Sequence, residues 1–423
     1  RDLVRSRGLG DVYKRQVYTH TNETDWSEPA FWSMGLLNEA DWQGQWIGLD
    51  HPAPGDSETQ WSRLAARYLR KEFALTKEVK RATVHIAGMG LYELFINGQR
   101  IGEQVLAPAP TDYRKTILYN TYDVTPQLQK ENAISVILGN GRFYTMRQNY
   151  KPYKIPTFGY PKLRLNLIIE YTDGSRQTIA SDISWKLTTE GPIRSNNEYD
   201  GEEYDARKEL GDWNRTGYDD TNWIPAGRVS IPSGTLRAQM MPGMKVTESL
   251  KPVSIRKQGD KQILDIGQTM AGWLRIRIKG QAGDSIRLRF AERLQADGEI
   301  FTKNLRDAHC TDIYVVSGRE PQDATWAPRF VYHGFRYVEI SGYPNAKTED
   351  FTAEVVDDEM AHTGTFTCSD ETLNQVLRNA FWGIRSNYKG MPVDCPQRNE
   401  RQPWLGDHAM GSWGESLFFN NHA

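Results

Sequence analysis

Acidic, basic and aromatic side chains alternate in one stretch near the end of the chain, residues 391–414, which reads MPVDCPQRNERQPWLGDHAMGSWG. With one residue just beyond the stretch, its charged side chains are Asp394, Arg398, Glu400, Arg401, Asp407 and Glu415. Carboxyl groups can transfer protons, guanidinium groups bind polar ligands, and indole rings form apolar walls. The stretch therefore suits a pocket for a polar ligand, and a solvated loop held by salt bridges is the alternative.

The backbone of this stretch is predicted to be a loop. Three prolines, Pro392, Pro396 and Pro403, and two glycines, Gly406 and Gly411, argue against one continuous helix. We therefore expect a long structured loop that is followed by a short helix at residues 412–419.

The string DCPQRNERQPWLGD, residues 394–407, resembles the active-site motif of the α-L-rhamnosidases of glycoside hydrolase family 78, commonly written DCPQRDERLGWTGD. Key positions that agree in identity and spacing are Asp394, Arg398, Glu400, Trp404, Gly406 and Asp407. The chain differs at Asn399, where the family has an acid, at Gln402-Pro403 and at Leu405. A match this dense is specific, and the differences concern substrate specificity more than fold.

The resemblance implies an inverting hydrolase with two catalytic carboxyl groups, which lie roughly 6.5–9.5 Å apart in such enzymes. Glu400 takes the place of the general acid, and Asp394 is the second candidate for that role. To remain protonated near neutral pH, such an acid must be buried or lie beside other carboxyl groups. Asp394 and Asp407 would accept hydrogen bonds from rhamnose hydroxyls, and Trp404 would pack against the C6-methyl face. Because a nearby cation opposes protonation, we expect Arg398 to face the sugar hydroxyls.

The second carboxylate, the general base, lies on a later helix of the barrel in that family, so we expect it beyond Ala423. Glu415 is therefore not assigned to this role, and an exposed or interhelical glutamate is the preferred interpretation. We expect this chain to be an incomplete fragment of the enzyme that is inactive on its own.

Composition is ordinary for a globular protein of several domains, with 423 residues, 38% hydrophobic, 25% charged and a net charge of −2. This balance gives no reason to expect nucleic acid or an anionic membrane as a partner. The 13 tryptophans suit either sugar stacking or large β-sandwich cores. Cys310, Cys368 and Cys395 form neither a disulfide framework nor a metal pattern. We expect no required cofactor.

Both ends of the chain look incomplete. Residues 1–16, RDLVRSRGLGDVYKRQ, begin without Met and lack the apolar core of a signal peptide, so we interpret them as non-native sequence; a native basic arm is the alternative. Residues 17–60 are predicted to be the remnant of a fibronectin-like domain and a linker. We interpret the whole chain as an amino-terminal fragment of a longer protein.

Residues 61–227 are predicted to form a β-sandwich or jelly roll, since apolar and polar residues alternate with a period of two between turns such as Asn97-Gly98 and Asn140-Gly141. The phrases INGQRIG and TDYRKTILYNTYDVT resemble the amino-terminal β-domain of bacterial rhamnosidases, which in some relatives binds rhamnose with calcium. Asn97, Asp112 and Asn140 could bind calcium here, although turn residues more often cap their own backbone.

Five acids crowd residues 191–207: Glu198, Asp200, Glu202, Glu203 and Asp205. They could also bind calcium, but the spacing is not that of an EF-hand, and we interpret the segment mainly as packing between domains. Residues 228–362 are predicted to be a second β-sandwich, with strand-like runs over 243–344 and no parallel sheet. His333 could face a substrate, but a histidine hydrogen-bonded between strands is the preferred interpretation.

The period changes after Cys368. Apolar residues recur at helical spacing at Leu373, Val376, Leu377, Ala380 and Ile384. They predict an amphipathic helix over residues 371 to about 388 that buries this face, with Ser369 or Asp370 as its N-cap. By the resemblance, residues 363–423 are the start of a catalytic (α/α)6 barrel.

The fold class is therefore multidomain and mainly β, with β-sandwich or jelly-roll domains followed by the start of an (α/α)6 barrel. We expect the complete protein to hydrolyse terminal α-L-rhamnosides in a rhamnose-containing oligosaccharide or glycoside, in the periplasm or outside the cell. A non-catalytic carbohydrate-binding β-sandwich protein is one alternative, suggested by Asn399 and Gln402-Pro403. An α/α-toroid glycosidase that acts on another sugar is the other.

Overall fold

The structure is a computed structural model that describes residues 11–13, 30–32, 34–57, 63–144 and 158–421. Most of the predicted non-native segment 1–16, and part of the predicted remnant 17–60, lie outside the described residues.

Strands dominate the described chain. In order they are β1 Asp11–Tyr13, β2 Ala30–Trp32, β3 Ile47–Gly48, β4 Arg67–Ala74, β5 Val79–Met89, β6 Leu91–Ile96, β7 Gln99–Arg100, β8 Thr116–Asp123, β9 Glu131–Gly139, β10 Lys162–Tyr171, β11 Arg176–Ala180, β12 Lys186–Thr188, β13 Ile193–Asn197, β14 Gly201–Asp205, β15 Ile224–Pro225, β16 Gly227–Arg228, β17 Thr235–Ala238, β18 Met244–Leu250, β19 Ser254–Gln258, β20 Lys261–Arg277, β21 Ser285–Ala291, β22 Arg293–Leu294, β23 Ile300–Phe301, β24 Thr311–Val315, β25 Thr325–Trp326, β26 His333–Ser341 and β27 Phe351–Asp358. Two α-helices follow, α1 Glu371–Ser386 and α2 Leu405–Phe418.

The first body is a sandwich of two sheets. One sheet has the order β16-β3-β10-β5-β8-β17 with β11 beside β10, and the other has the order β15-β12-β4-β9-β6-β7. Alternate residues of facing strands meet in one apolar core, in which Ile86 and Leu165 of the first sheet pack with Leu69, Leu94 and Val136 of the second. The predicted β-sandwich is confirmed.

The second body is built on one ten-stranded sheet with the order β13-β14-β24-β21-β26-β20-β27-β18, in which β19 and β25 also pair with β20. Its core contains the fully buried Leu274, Phe290, Phe335 and Val338. Strands β13 and β14 come from the acidic segment 191–207, so this segment is part of the second sheet. The chain then returns to the first sandwich through β15, β16 and β17. Strand pairing thus does not follow the predicted boundary at residue 227, while the division into domains stays a prediction.

Among the described residues the sheets are antiparallel or mixed, so the expectation of no parallel sheet holds for whole sheets but not for two short strand pairs. Strand β14 pairs with β24 in parallel, and β17 pairs with β8 in parallel. Both pairings join strands that are far apart in sequence, because the chain passes from one body to the other and back between them. Alternation with a period of two indicates a strand but says nothing about its direction relative to its neighbour.

Helix α1 has the predicted position, and Asp370 is its N-cap, with its side chain accepting hydrogen bonds from the N–H groups of Thr372 and Leu373. Part of the predicted apolar face is bare in the described chain, where Leu373 and Val376 are 51% and 56% exposed, and its burial in a complete barrel stays a prediction. The helix is instead held by Arg385, whose guanidinium donates to Asp357 on β27 at 2.5 Å. Periodicity shows that one face is apolar but not which element covers it.

Helix α2 begins at Leu405, earlier than the predicted residue 412. Gly406 and Gly411 therefore lie inside a helix, since a glycine costs a helix only about 1 kcal/mol and does not end it. The three prolines all precede the helix, and the predicted loop is confirmed for residues 391–404 only. Among the described residues, neither helix is long and apolar enough to cross a membrane.

The two β bodies touch at backbone level. Gly139, the last residue of β9, faces the fully buried ring of Phe330 of the second body, and a Cβ atom on Gly139 would lie 2.4 Å from the ring carbon Cγ of Phe330. Only a residue without a side chain allows this approach.

We predict that Gly139→Ala lowers the stability of the chain by about 1–3 kcal/mol, because the added methyl group overpacks a rigid interface. Gly383→Ala is the matched control, since it lies in α1 with nothing within 4 Å of the new methyl group and should stabilise by up to about 1 kcal/mol. Urea unfolding followed by tryptophan fluorescence measures both. Equal effects of the two substitutions would contradict the proposed contact.

Candidate active site

The residues between the two helices, 387–404, form a loop, here called the motif loop, that presses onto strand β26. A Cβ atom on Gly334 of β26 would lie 2.7 Å from Cγ of Pro396. The thiol of Cys310, at the start of β24, donates to the carbonyl oxygen of Gln397 at 3.1 Å. The ten-stranded sheet therefore fixes the path of the loop.

A buried arginine holds the turn of the loop together. Arg401 is fully buried, and its φ of +53° places it in the left-handed region. Its guanidinium donates to the carbonyl oxygens of Arg398 at 3.0 Å, Gln397 at 3.2 Å and Tyr332 at 2.5 Å, and also to that of Glu198. Because the guanidinium group offers five donors and no acceptor, it can collect main-chain carbonyls from three segments at once.

Around this turn, two carboxylates share one guanidinium. Arg398 donates from Nη2 to Oδ2 of Asp394 at 2.8 Å and from Nε to Oε2 of Glu400 at 2.9 Å. The other oxygen of Asp394, Oδ1, accepts from the N–H of Gln402 at 2.7 Å. Both carboxylate side chains are almost fully buried, so their positions are fixed by these bonds.

Glu400 receives two further donors. The indole Nε1 of Trp404 donates to Oε1 at 3.1 Å, and Nη1 of Arg306 donates to Oε2 at 2.8 Å. With Arg398, three donors converge on the two oxygens of Glu400. These three bonds hold both oxygens of Glu400 in place.

The structure changes two expectations about these residues. Arg398, expected to face sugar hydroxyls, bonds both carboxylates, because Asp394 precedes it and Glu400 follows it closely enough to reach its half-buried guanidinium group. Asp407 lies in the first turn of α2 and is exposed. Among the described residues, its carboxylate makes no hydrogen bond with the cluster of Asp394, Arg398 and Glu400. The roles assigned to the motif residues stay predictions.

Next to the motif loop lies a buried charge cluster. The carboxylate of Glu198 is 3.2 Å from Nε of Arg142, of the first body, and also bonds the ammonium group of Lys389, of the motif loop. Burial opposes its ionisation, but the charges of Arg142, Lys389 and Arg401 outweigh burial and lower the pKa of Glu198 to about 2. Burial lowers the pKa of Lys389 to about 8, against the attraction of Glu198. This cluster joins both β bodies to the motif loop.

The five acidic residues of segment 191–207, considered above as calcium ligands, bond to different partners. Glu203 bonds Arg63, Asp205 bonds Arg207, and Asp200 accepts from the N–H of His309. Glu202 accepts from the N–H groups of Arg329 and Phe330, and burial raises its pKa to about 8. Within residues 158–421, these acids form no group of three in metal-binding reach. Their partners support the interpretation of the segment as packing between domains.

The other calcium candidates cap backbone or bond neighbours. The side-chain oxygen of Asn97 accepts from the N–H of Ala133 at 2.9 Å. The carboxylate of Asp112 bonds Arg114, and Nδ2 of Asn140 donates to the carbonyl oxygen of Asn196 at 2.6 Å. These bonds agree with the structural roles that the sequence suggested as the alternative to calcium binding. Calcium binding by these residues stays a prediction.

Two further residues have the structural roles preferred from the sequence. His333 is fully buried, with Nε2 3.0 Å from Oδ1 of Asp312 and its ring stacked on Phe290. Glu415 on α2 accepts from the hydroxyl of Tyr388, which follows α1, at 2.6 Å. Glu415 is thus an interhelical contact.

One group in the described chain has metal-binding atom types close together: Asp394, Cys395 and Glu400, within 4.8 Å of one another. Both carboxylates, however, bond Arg398, whose positive charge opposes a cation at the same place. Burial raises the pKa of the Cys395 thiol to about 11, which disfavours the thiolate that binds metals. The geometry favours an ion-paired site over a metal site.

Sequence reasoning missed the second wall of the site, the loop at residues 302–310 between β23 and β24. Besides Arg306, it supplies Asp307, whose Oδ2 accepts from Nδ2 of Asn399 at 3.2 Å. Glu292, at the end of β21, accepts from Nε2 of Gln397 at 2.9 Å, and burial raises its pKa. The sequence of this wall, TKNLRDAHC, contains no recognisable motif, so only the fold reveals it.

Comparisons with known proteins place three models of one family along the chain. The α-L-rhamnosidase N-terminal domain matches residues 77–248, the bacterial α-L-rhamnosidase concanavalin-like domain matches 255–357, and the bacterial α-L-rhamnosidase six-hairpin glycosidase domain matches 361–423. An α-L-rhamnosidase from Formosa agariphila is 37% identical, in an alignment that covers 94% of this chain and 44% of that protein.

Two solved structures are similar throughout the chain. The α-L-rhamnosidase from Dictyoglumus thermophilum is 37% identical with a TM-score of 0.86, covering 97% of this chain and 47% of its own. That from Streptomyces avermitilis, complexed with L-rhamnose, is 32% identical with a TM-score of 0.80, covering 96% of this chain and 41% of its own. The chain therefore spans less than half the length of these relatives.

The contact between Asn399 and Asp307 gives a prediction for the residue at which this motif differs from the family pattern. Asn399→Asp should place two carboxylates against each other and destabilise the chain by roughly 1–3 kcal/mol. Asp307→Asn should have little effect alone but should restore most of the loss in the double variant, as measured by urea unfolding at pH 7. Losses that simply add in the double variant would show that the two side chains do not interact.

Proposed function

Because the chain belongs to the bacterial α-L-rhamnosidases, we propose that the complete protein hydrolyses terminal α-L-rhamnosides by an inverting mechanism. Its substrate would be a rhamnose-containing oligosaccharide or glycoside, with no nucleic acid and no membrane as partner. Since such substrates are met outside the cytoplasm, we propose the periplasm or the exterior as its place of action.

The observation that carries this proposal is the pair of buried carboxylates, Asp394 and Glu400, joined by Arg398 beside Trp404. Such a pair offers one group for proton transfer and one for binding hydroxyls, and the indole offers an apolar surface. The motif loop and the 302–310 wall hold these groups in fixed positions, which is the preorganisation that catalysis needs.

In the proposed mechanism, Glu400 protonates the glycosidic oxygen while a water attacks the other face of the sugar ring. Glu400 must then carry a proton in the complex with substrate. Since Trp404, Arg306 and Arg398 all donate to it, at least one of them must move when the glycosidic oxygen arrives. Asp394, or Asp407 at the start of α2, would accept hydrogen bonds from the sugar hydroxyls.

The base that activates the water is proposed to lie outside these 423 residues. The described residues of the motif loop and α2 offer Glu415 as a further carboxylate, but it bonds Tyr388 between the helices. We therefore propose that the chain alone does not hydrolyse rhamnosides, and that activity is to be measured on the product of the complete gene.

We predict that Glu400→Gln in the complete protein lowers kcat on a rhamnose-containing disaccharide by about 10²–10⁴-fold, because the amide keeps the shape of the side chain but cannot deliver a proton. The loss on p-nitrophenyl α-L-rhamnoside should be smaller, since nitrophenolate leaves with little protonation. Steady-state kinetics on both substrates, with Glu415→Gln as the matched control, measures the difference.

Three results would decide against parts of this proposal. Equal losses on both substrates would move the acid role to Asp394. Full activity of Glu400→Gln on the disaccharide would remove Glu400 from the mechanism. An unaltered protein that cleaves other aryl glycosides but not aryl α-L-rhamnosides would contradict the proposed substrate.

A further inference from the structure

Arg306 reaches Glu400 from the ten-stranded sheet, not from the motif loop. It follows the 3₁₀ helix Lys303–Leu305, in the loop that joins β23 to β24. Its Nη1 lies 2.8 Å from Oε2 of Glu400, the same oxygen that Arg398 approaches at 2.9 Å. A loop of the second body thus contributes a charge to the buried carboxylates of the motif loop.

The direction of this side chain is imposed by the fold. Arg306 has a φ of +57° and a ψ of −118°, a positive-φ backbone that a residue with a side chain avoids. On either side, Leu305 and Ala308 are 1% and 5% exposed and belong to the core of the ten-stranded sheet. Such a backbone persists only where its surroundings over-determine it, and strained positions of this kind occur at functional sites.

The same loop is fastened to the motif loop on both sides of Arg306. Asp307 accepts from Asn399 at 3.2 Å. Oε2 of Glu292 accepts from Nδ2 of Asn304 at 3.0 Å and from Nε2 of Gln397 at 2.9 Å, and so joins the two loops. Arg306 therefore cannot drift from Glu400 without breaking contacts made by its neighbours.

The charges around Glu400 come from two elements. The motif loop contributes Asp394, the thiol of Cys395 and Arg398, and the 302–310 loop contributes Arg306. The neutral donors Trp404 and, at the main-chain oxygen of Glu400, Tyr199 complete the surroundings. Two carboxylates thus face two guanidinium groups. If Arg306 lost its charge, the two carboxylates would share one guanidinium group, and Glu400 would lose a charge that favours its ionised form.

We propose that Arg306 is a positioning residue for Glu400, which holds its Oε2 in place and keeps a positive charge beside it. This proposal rests on the proposed function, in which Glu400 is the general acid. A general acid is active while protonated, so activity falls above the pH at which it ionises, and this fall forms the alkaline limb of the pH–rate profile.

The test compares variants of the complete protein on a rhamnose-containing disaccharide, with kcat/KM measured from pH 4 to about 10. In Arg306→Gln, the alkaline limb should move to higher pH by roughly one unit or more, because an opposite charge near the acid is lost. Arg306→Lys keeps a positive charge but replaces the planar guanidinium group by a compact ammonium group. In this variant the alkaline limb should not move, while kcat should fall. Arg287→Gln, on an exposed position of β21, is the matched control and should change neither.

An unmoved limb in Arg306→Gln would overturn the proposal, as would an equal shift in Arg287→Gln, which would indicate a general charge effect. If the alkaline limb moved in Arg306→Lys, which keeps the charge, the role of the charge would be contradicted. This result would overturn the proposal even if Arg306→Gln folded poorly.

A second measurement separates this proposal from the proposed function, because it needs no hydrolysis. The unfolding midpoints of the 423-residue chain carrying Arg306→Gln, Glu400→Gln and both substitutions form a double-mutant cycle. If the contact positions Glu400, the double variant should lose less than the sum of the single losses. Additive losses would overturn the contact, whereas a coupled pair in a protein that cleaves no rhamnoside would contradict only the proposed function.

Discussion

The candidate site depends on a positive charge that is fully removed from water. Arg401 gives its N–H groups to main-chain carbonyl oxygens of the motif loop, of residue Tyr332 beside β26 and of Glu198 between β13 and β14. Burying a cation is costly unless all its donors are used and an anion lies nearby. Here four main-chain carbonyl oxygens accept hydrogen bonds from the guanidinium group of Arg401. The carboxylate of Glu198, whose pKa is lowered to about 2, lies close by. The turn that presents Glu400 can therefore exist only where these three segments meet.

This dependence explains why the site is largely a product of tertiary structure. Asp394, Arg398 and Glu400 are close in sequence, but the turn on which their side chains converge is held by Arg401, which follows Glu400 and has a φ in the left-handed region. Glycosidase chemistry needs carboxyl groups in different protonation states, and the arrangement around them, not their number, sets those states. The second wall, with Arg306 and Asp307, is supplied by a loop that is far from the motif in sequence.

Features that depend on residues close together in the sequence could be predicted, whereas features that depend on distant partners could not. Strands with a period of two, the N-cap at Asp370 and the loop at residues 391–404 depend on local rules, and the structure has them. The exposed face of α1, the early start of α2 at Leu405 and the inward direction of Arg398 depend on which elements are neighbours. The placement of β13 and β14 in the second sheet depends on partners such as β24, which lies about a hundred residues later. Hydrophobic patterning contains no information about such partners.

The path of the chain between the two β bodies has a consequence for synthesis. The chain leaves the first sandwich for β13 and β14, returns for β15 to β17, and then builds the rest of the second sheet. As the polypeptide emerges from the ribosome, the first sandwich thus stays unfinished until Ala238 is outside, because β17 must still add to β8. Strands β13 and β14 must wait longer, with a sheet edge unpaired, until β24 is made. No single continuous segment of the gene therefore encodes all the strands of one body without also encoding strands of the other.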